Sequence, residues 1–497
     1  MPVSFVHFPQ EEIEQKDFDL VVEGTRIPLH QARVSAMPFN RRWPGHQRDL
    51  DQTELASFAS FTVDGPVTVS VTPKREFKNA VIRPLSKKIS FQRNGPTLTF
   101  QLPGTGFYTV ELDGVHGALH LFAEEPKEYS VVQGQENVIF YGPGVYHPGT
   151  ISLSSGQTLY LAEGAVVYAS IQAKHADNIR ILGRGILDNS ENKEEILYPI
   201  ETSNGEVAVN NAIRTHTVQL EYCKNVEIDG ITIRDSLVYN IRPICCETLR
   251  ISDVKIIGNW RYNSDGIDMH NCYDTVIRHC FIRTFDDSIC VKGFDYTQDP
   301  EELRSLNARQ SRFENILVED CVIWCDWGRA LEIGAETRAD EICNVTFRNC
   351  DVIHVVHGAL DVQNVDYARV HDILYHDIRV ECDGVQQTPG FQSSDEMSYQ
   401  EDPNSMYLPL LMSASVFFHP EYCIGSPERG ENYHITFSDI QVTSDRMPKS
   451  SFWGYDPQHQ TREITIERLS LNGNPVYNWE EANIEVGEFA ANVQLKL

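Results

Sequence analysis

A strand, a polar corner and a second strand recur along most of this chain, and that recurrence restricts the fold more than any other feature. It is seen at Asn178-Ile179-Arg180-Ile181-Leu182-Gly183, Asn225-Val226-Glu227-Ile228-Asp229-Gly230, Thr275-Val276-Ile277-Arg278-His279-Cys280, Asn315-Ile316-Leu317-Val318-Glu319-Asp320-Cys321 and Asn344-Val345-Thr346-Phe347-Arg348-Asn349-Cys350. The same texture returns at His434-Ile435-Thr436-Phe437 and Ile464-Thr465-Ile466-Glu467. From Asn225 the starts lie roughly 23 to 29 residues apart, except across two longer gaps. The period is too long for most leucine-rich repeats, and their Leu/Asn signature and helical stretches are missing. A right-handed parallel β-helix is therefore expected, with helix only in short pieces such as Pro300-Glu301-Glu302-Leu303-Arg304.

A solenoid grows by stacking turns, so 497 residues need not share one ordinary core. The first 130 residues read differently. Val67-Thr68-Val69-Ser70-Val71-Thr72 and Leu98-Thr99-Phe100-Gln101-Leu102 alternate apolar and polar residues, and Asn94-Gly95-Pro96 and Asp113-Gly114 punctuate them as turns. An all-β layout follows: an N-terminal β-sandwich over residues 1–130 and a right-handed parallel β-helix over 131–497.

A formal charge of -29 repels nucleic acid and anionic membrane surfaces, so neither is an expected partner. No apolar run approaches the length of a membrane span. Met1 to Glu12 shows no basic or apolar leader segment, so a cytoplasmic location is the default expectation and a trimmed secreted protein the alternative. The twelve cysteines begin at Cys223, and Cys280, Cys321 and Cys350 hold one place in the repeat, so they are expected as a reduced internal ladder. There is no Cys-x-x-Cys pair, Gly-rich phosphate loop or dinucleotide fingerprint, so no metal or cofactor is expected.

Asn263-Ser264-Asp265-Gly266-Ile267-Asp268 is followed by Phe285-Asp286-Asp287-Ser288-Ile289-Cys290-Val291-Lys292-Gly293. The second acidic cluster falls about one solenoid turn later, and equivalent positions on successive turns stack about 4.8 Å apart. Three carboxylates would then share a small patch. Inverting cleavage of a glycosidic bond needs one protonated and one ionised carboxyl about 6.5 to 9.5 Å apart, a spacing that such a lattice supplies. Spacing alone leaves open that these are solvated corner residues like Asp235, Asp253 and Asp320.

The paired motifs resemble the Asn-Thr-Asp-Gly and Gly-Asp-Asp motifs of glycoside hydrolase family 28, the polygalacturonases, over about residues 138 to 355. The resemblance implies a right-handed parallel β-helix and single-displacement hydrolysis with inversion. Asp286 then corresponds to the general acid, and Asp265 and Asp287 to the carboxylates that activate water. Where that family has Gly-His-Gly, this chain has Trp327-Gly328-Arg329-Ala330-Leu331-Glu332; where it has Arg-Ile-Lys, Gly358-Ala359-Leu360-Asp361-Val362-Gln363 stands nearby. Glu332 and Asp361 in place of basic residues point to a carbohydrate substrate other than ordinary polygalacturonate. Asn263, His270, Lys292, Arg329, Glu332 and Asp361 are the candidate substrate contacts. The domain layout is also similar to that of the dextranase and isopullulanase family. Two rivals remain: a polysaccharide lyase on the same fold, typically with carboxylate-held calcium, and a non-catalytic glycan-binding β-helix.

Insertions in a repeat array map to loops on one face. The two long gaps, Phe294 to Phe313 and Asp383 to Asn432, are read as such insertions. The second carries Gly390, Phe391, Tyr399, Tyr407, Phe417 and Phe418. Those aromatics suit sugar stacking; alternatively they cap the solenoid or join copies of the chain in a homo-oligomer.

Overall fold

The structure is a computed structural model that describes residues 4–5, 8–41, 50–194, 198–201, 207–210, 213–294, 312–394, 396–420, 423 and 427–496. The expected helix at Pro300–Arg304 and the interior of the first long gap lie outside these residues. The fold is all-β: an N-terminal β-sandwich followed by a right-handed parallel β-helix. Strands between Ser4 and Glu124 form one ten-stranded sheet, and those from Val138 onward build a continuous ladder of thirty-one among the described residues.

Corner chemistry explains the repeat. Asn178, Asn225, Asp274, Asn315, Asn344 and Asp372 all have φ between +50° and +63° at the same corner of the stack, a corner that Thr248 takes in the coil between Asn225 and Asp274. Asn and Asp tolerate this left-handed conformation better than other residues with a Cβ. Their side chains also bond along the stack: Asn225 Nδ2 donates to Asn178 Oδ1 at 2.6 Å and Asn315 Nδ2 to Asp274 Oδ1 at 2.7 Å. Inside, register piles Ile251, Ile277, Val318, Phe347, Tyr375 and Phe437 on one another. The Phe347, Tyr375 and Phe437 rings stack at 4.8 and 5.0 Å, the rung spacing itself. Each such fully buried side chain contributes about 1.5–3 kcal/mol through lost apolar hydration. All twelve cysteines are free and buried.

The sandwich strands Thr53–Thr62, Gly106–Leu112 and Leu119–Glu124 are largely buried on both faces. Ala59, Phe61, Tyr108, Val110, Leu119 and Leu121 face the sandwich core. Phe58, Phe107 and Phe122 point the other way and pack on Val166, Phe281, Val322 and Trp324 of the β-helix. Buried ions also cross this boundary. Arg83 meets Glu111 at 2.9 Å within the sandwich, and Glu381 and Asp383 of the solenoid, the latter at 2.7 Å.

Seven consecutive rungs of one solenoid face position the candidate site: β1 (Ile267–His270), β2 (Ile289–Gly293), β3 (Arg329–Thr337), β4 (Gly358–Asn364), β5 (Leu410–Val416), β6 (Ser450–Trp453) and β7 (Ile484–Val486). All pair in parallel with the next. Strand β5 is a regular rung inside the stretch Asp383–Asn432 that the sequence reads as one insertion. The true excursion before it carries Gly390–Gln392, which pairs in parallel with Phe39–Arg41 of the N-terminal region.

Candidate active site

Along these rungs Ile267, Ile289, Leu331 and Leu360 align, as do Met269, Val291, Ile333 and Val362; both columns face inward and are buried. The alternating positions must therefore face outward. Asp268, Cys290, Glu332, Asp361, Ser413 and Ser451 form one outward column, and His270 aligns with Lys292 in the next. The ladder continues just ahead of β1 and β2: the Gly266 N–H donates to the Asp287 carbonyl at 2.8 Å. Asp265 and Asp287 thus occupy neighbouring rungs, and Asp286 precedes Asp287 at the same mouth. Asp286 is half-buried, whereas Asp265 and Asp287 are buried.

The Lys292 ammonium sits among the acids, 3.2 Å from Asp268, 3.5 Å from Asp265 and 3.6 Å from Asp287. One cation cannot offset three buried anions and Asp286 as well, so the protons redistribute. Burial, reinforced by the charges of Asp268 and Asp286, pushes Asp265 well above the usual aspartate range. Burial opposes charge on Asp268 too, but Lys292 and His270 outweigh it and hold that carboxyl below its ordinary value. Burial and the neighbouring Asp287 lift Asp286 to about 7. The Asp287 Oδ1 accepts the Arg329 backbone N–H at 3.0 Å. That approach requires Gly328, because a Cβ there would lie 2.5 Å from Asp287 Oδ1 and 2.6 Å from its backbone nitrogen.

The remaining candidates separate into two groups. Arg329, Glu332 and Asp361 come together one and two rungs above Asp287: Arg329 Nε donates to Asp361 Oδ2 at 2.6 Å and lies 3.7 Å from Glu332. Gln363 Nε2 donates to Glu332 Oε1 at 2.6 Å, and Ser413 donates to Asp361. Burial and Asp287 push Glu332 well above the ordinary glutamate value. His270, by contrast, is fully buried beneath the cluster, stacked on Phe294 at 4.5 Å. Burial and Arg242 push it down to about 3, so it is neutral. Asn263 is half-buried in the preceding turn with φ of +52°.

Sequence reasoning gave no role to Asp268, although it lies in the first motif, nor to Trp327 and His357. Trp327 packs against Phe285, His357 and Phe391, with ring centroids 4.8 to 5.9 Å apart. His357 binds the Trp327 carbonyl through Nδ1, and burial and Arg329 push it down to about 4. Its place one rung beyond Gly328 follows from the solenoid period, which was the available signal.

A right-handed parallel β-helix with acids clustered on adjacent rungs of an outward face defines a class of protein, that of the polygalacturonase-like β-helices. Residues 140–383, just under half of the chain and all within its β-helix, match the family model for Glycosyl hydrolases family 28. A probable polygalacturonase of Vitis vinifera is 26% identical over 200 residues, covering 35% of this chain and 41% of that protein. A polygalacturonase of Juniperus ashei is 22% identical over 221 residues, 43% of this chain and 39% of that one. The chain thus spans about two fifths of the length of the curated relatives it matches. In fold it is similar to Dex49A from Penicillium minioluteum, with a TM-score of 0.57, 13% identity, and coverage of 98% of this chain and 96% of the other.

Proposed function

We propose that this chain is an inverting glycoside hydrolase in which Asp286 is the general acid and Asp287, with Asp265, holds the attacking water. The observation that carries the reading is the placement of Asp265, Asp286 and Asp287 on adjoining rungs of one face, with Lys292 compensating part of their charge. Asp286 has the raised proton affinity that an acid needs near neutral pH, and it is the least buried of the three. Asp287 accepts the Arg329 backbone N–H and faces the Lys292 ammonium. Asp265, whose proton affinity burial and the charge of Asp268 raise, positions the water beside Asp287, which takes its proton.

The substrate in this reading is a glycoside other than ordinary polygalacturonate. A uronic acid needs an uncommitted cation, whereas Lys292 already faces Asp265, Asp268 and Asp287, and Arg329 faces Asp361 and Glu332. The carboxyl oxygens of Glu332 and Asp361, which bond Gln363, Arg329 and Ser413, keep further lone pairs suited to sugar hydroxyls. The test is incubation with neutral and acidic oligosaccharides, with the first-formed anomer read by NMR. Appearance of the opposite anomer from a neutral series supports the reading. Retention of configuration, or cleavage confined to oligogalacturonate, overturns it.

A further inference from the structure

The outward face does not end at the carboxylates. Beyond Asp361 and Gln363 on β4 it runs through Ser413 and Ser415 on β5 to Ser451 and Trp453 on β6. Phe452, between the last two, points into the core and is fully buried, which fixes Trp453 outward. The indole is 38% exposed, a large apolar surface left in water. Its orientation is held, since Nε1 donates to Ser451 Oγ at 2.9 Å and Ser451 Oγ donates to Glu485 at 3.2 Å. It lies across Gly487 of the next rung, where an added Cβ would fall 2.0 Å from the ring. A residue with any side chain at 487 would displace it. Nearby, the exposed rings of Phe418 and Tyr455 flank Arg429, whose guanidinium carbon is 5.2 and 6.0 Å from their centroids.

We infer that Trp453 is a remote subsite that stacks a sugar ring of a long oligosaccharide substrate, on the same groove as Asp286 and Asp287. An indole held flat and half exposed presents an apolar face with one polar edge, which matches the C–H face of a pyranose ring and its hydroxyl rim. Four rungs separate β2 from β6, so the platform stands about 19 Å along the solenoid axis from the carboxylates. Several sugar units span that distance and a disaccharide does not. The occupant follows from the continuity of the face: polar Glu332, Asp361, Gln363 and Ser413, buried and bonded to one another, hold the intervening outward positions, and the partly exposed Ser415 stands next to Trp453. This inference rests on the proposed glycosidase reading and adds to it a preference for chain length.

The test compares Trp453→Ala and Trp453→Phe with the native chain on α-1,4 and α-1,6 glucan oligosaccharides and oligogalacturonates, each of two and eight units. Expected for Trp453→Ala is a KM about tenfold higher on the octamer of whichever series is cleaved, with kcat within twofold and disaccharide kinetics unchanged. Trp453→Phe should recover most of the loss. Equal effects on both lengths, or none, overturn the remote subsite while leaving the glycosidase reading intact. Failure of the native chain to cleave any of these probes overturns both.

Discussion

Replacing Asp286 by asparagine separates the chemistry of the carboxylate cluster from its electrostatic cost. Burial and Asp287 hold this group at about 7, roughly three pH units above an ordinary aspartate. At about 1.4 kcal/mol per unit that is about 4 kcal/mol against the ionised form; water at the half-buried side chain reduces it to about 1–2 kcal/mol. The sign follows from proton counting. Between about pH 4 and 7 the group is protonated in the folded chain and ionised in the unfolded one, so unfolding releases a proton and wild-type stability falls as pH rises through this window. Above about pH 7 both states are ionised and the loss is complete. Asparagine has no such proton. The variant should match wild type below pH 4 and exceed it by about 1–2 kcal/mol at pH 8, a few °C in Tm by calorimetry at pH 4, 6 and 8. In the same samples kcat should fall about 10²- to 10⁴-fold, and wild-type activity should decline as pH rises through about 7. A Tm difference that does not change with pH would refute the electrostatic reasoning. A loss of kcat under tenfold would refute the assignment of Asp286 as the acid.

Three further outcomes are expected. Lys292→Met removes the ammonium from between Asp265, Asp268 and Asp287 and should destabilise the chain by about 3–5 kcal/mol, as read by urea unfolding. Gly328→Ala drives a methyl group against Asp287 and should lower kcat at least about tenfold with KM little changed, measured by steady-state kinetics with circular dichroism as the control for folding. Arg83→Met removes the guanidinium from among Glu111, Glu381 and Asp383 at the boundary of sandwich and solenoid, leaving Glu111 only His354 and Glu381 only the Leu85 N–H among the described residues; it should cost about 3–5 kcal/mol and make the exposed stretch between Glu124 and Val138 more susceptible to limited proteolysis.

The solenoid was legible because its corners leave a chemical mark. Asn and Asp recur where the chain turns left-handed, and apolar pairs recur where it runs straight. The pairing of Asp265 with Asp287 was legible for the same reason, since 22 residues make one uninterrupted coil. Register became unreadable where coils carry excursions. Asp287 and Arg329 are rung neighbours 42 residues apart, so the Arg329, Glu332 and Asp361 cluster could be suspected but not assembled. The same effect hid β5 inside a stretch read as one insertion, and with it the line from Asp361 to Trp453. The proton distribution was out of reach altogether, because it depends on where Lys292 places its charge. The alternation expected at Val67–Thr72 and Leu98–Leu102 is present in the burial of those strands; Leu119–Glu124 is instead buried along its whole length, because a second layer covers the face that would otherwise meet water.

That second cover has a consequence for how the molecule tolerates change. Phe58, Phe107 and Phe122 stand back to back with residues that seal the sandwich, so a strand that shifts to accommodate one partner is displaced against the other. Such a plate transmits strain across its thickness instead of absorbing it. The solenoid wall beneath it, with Phe281 and Trp324, is therefore braced from outside, and Trp324 stands only three residues before the Trp327 that packs on His357.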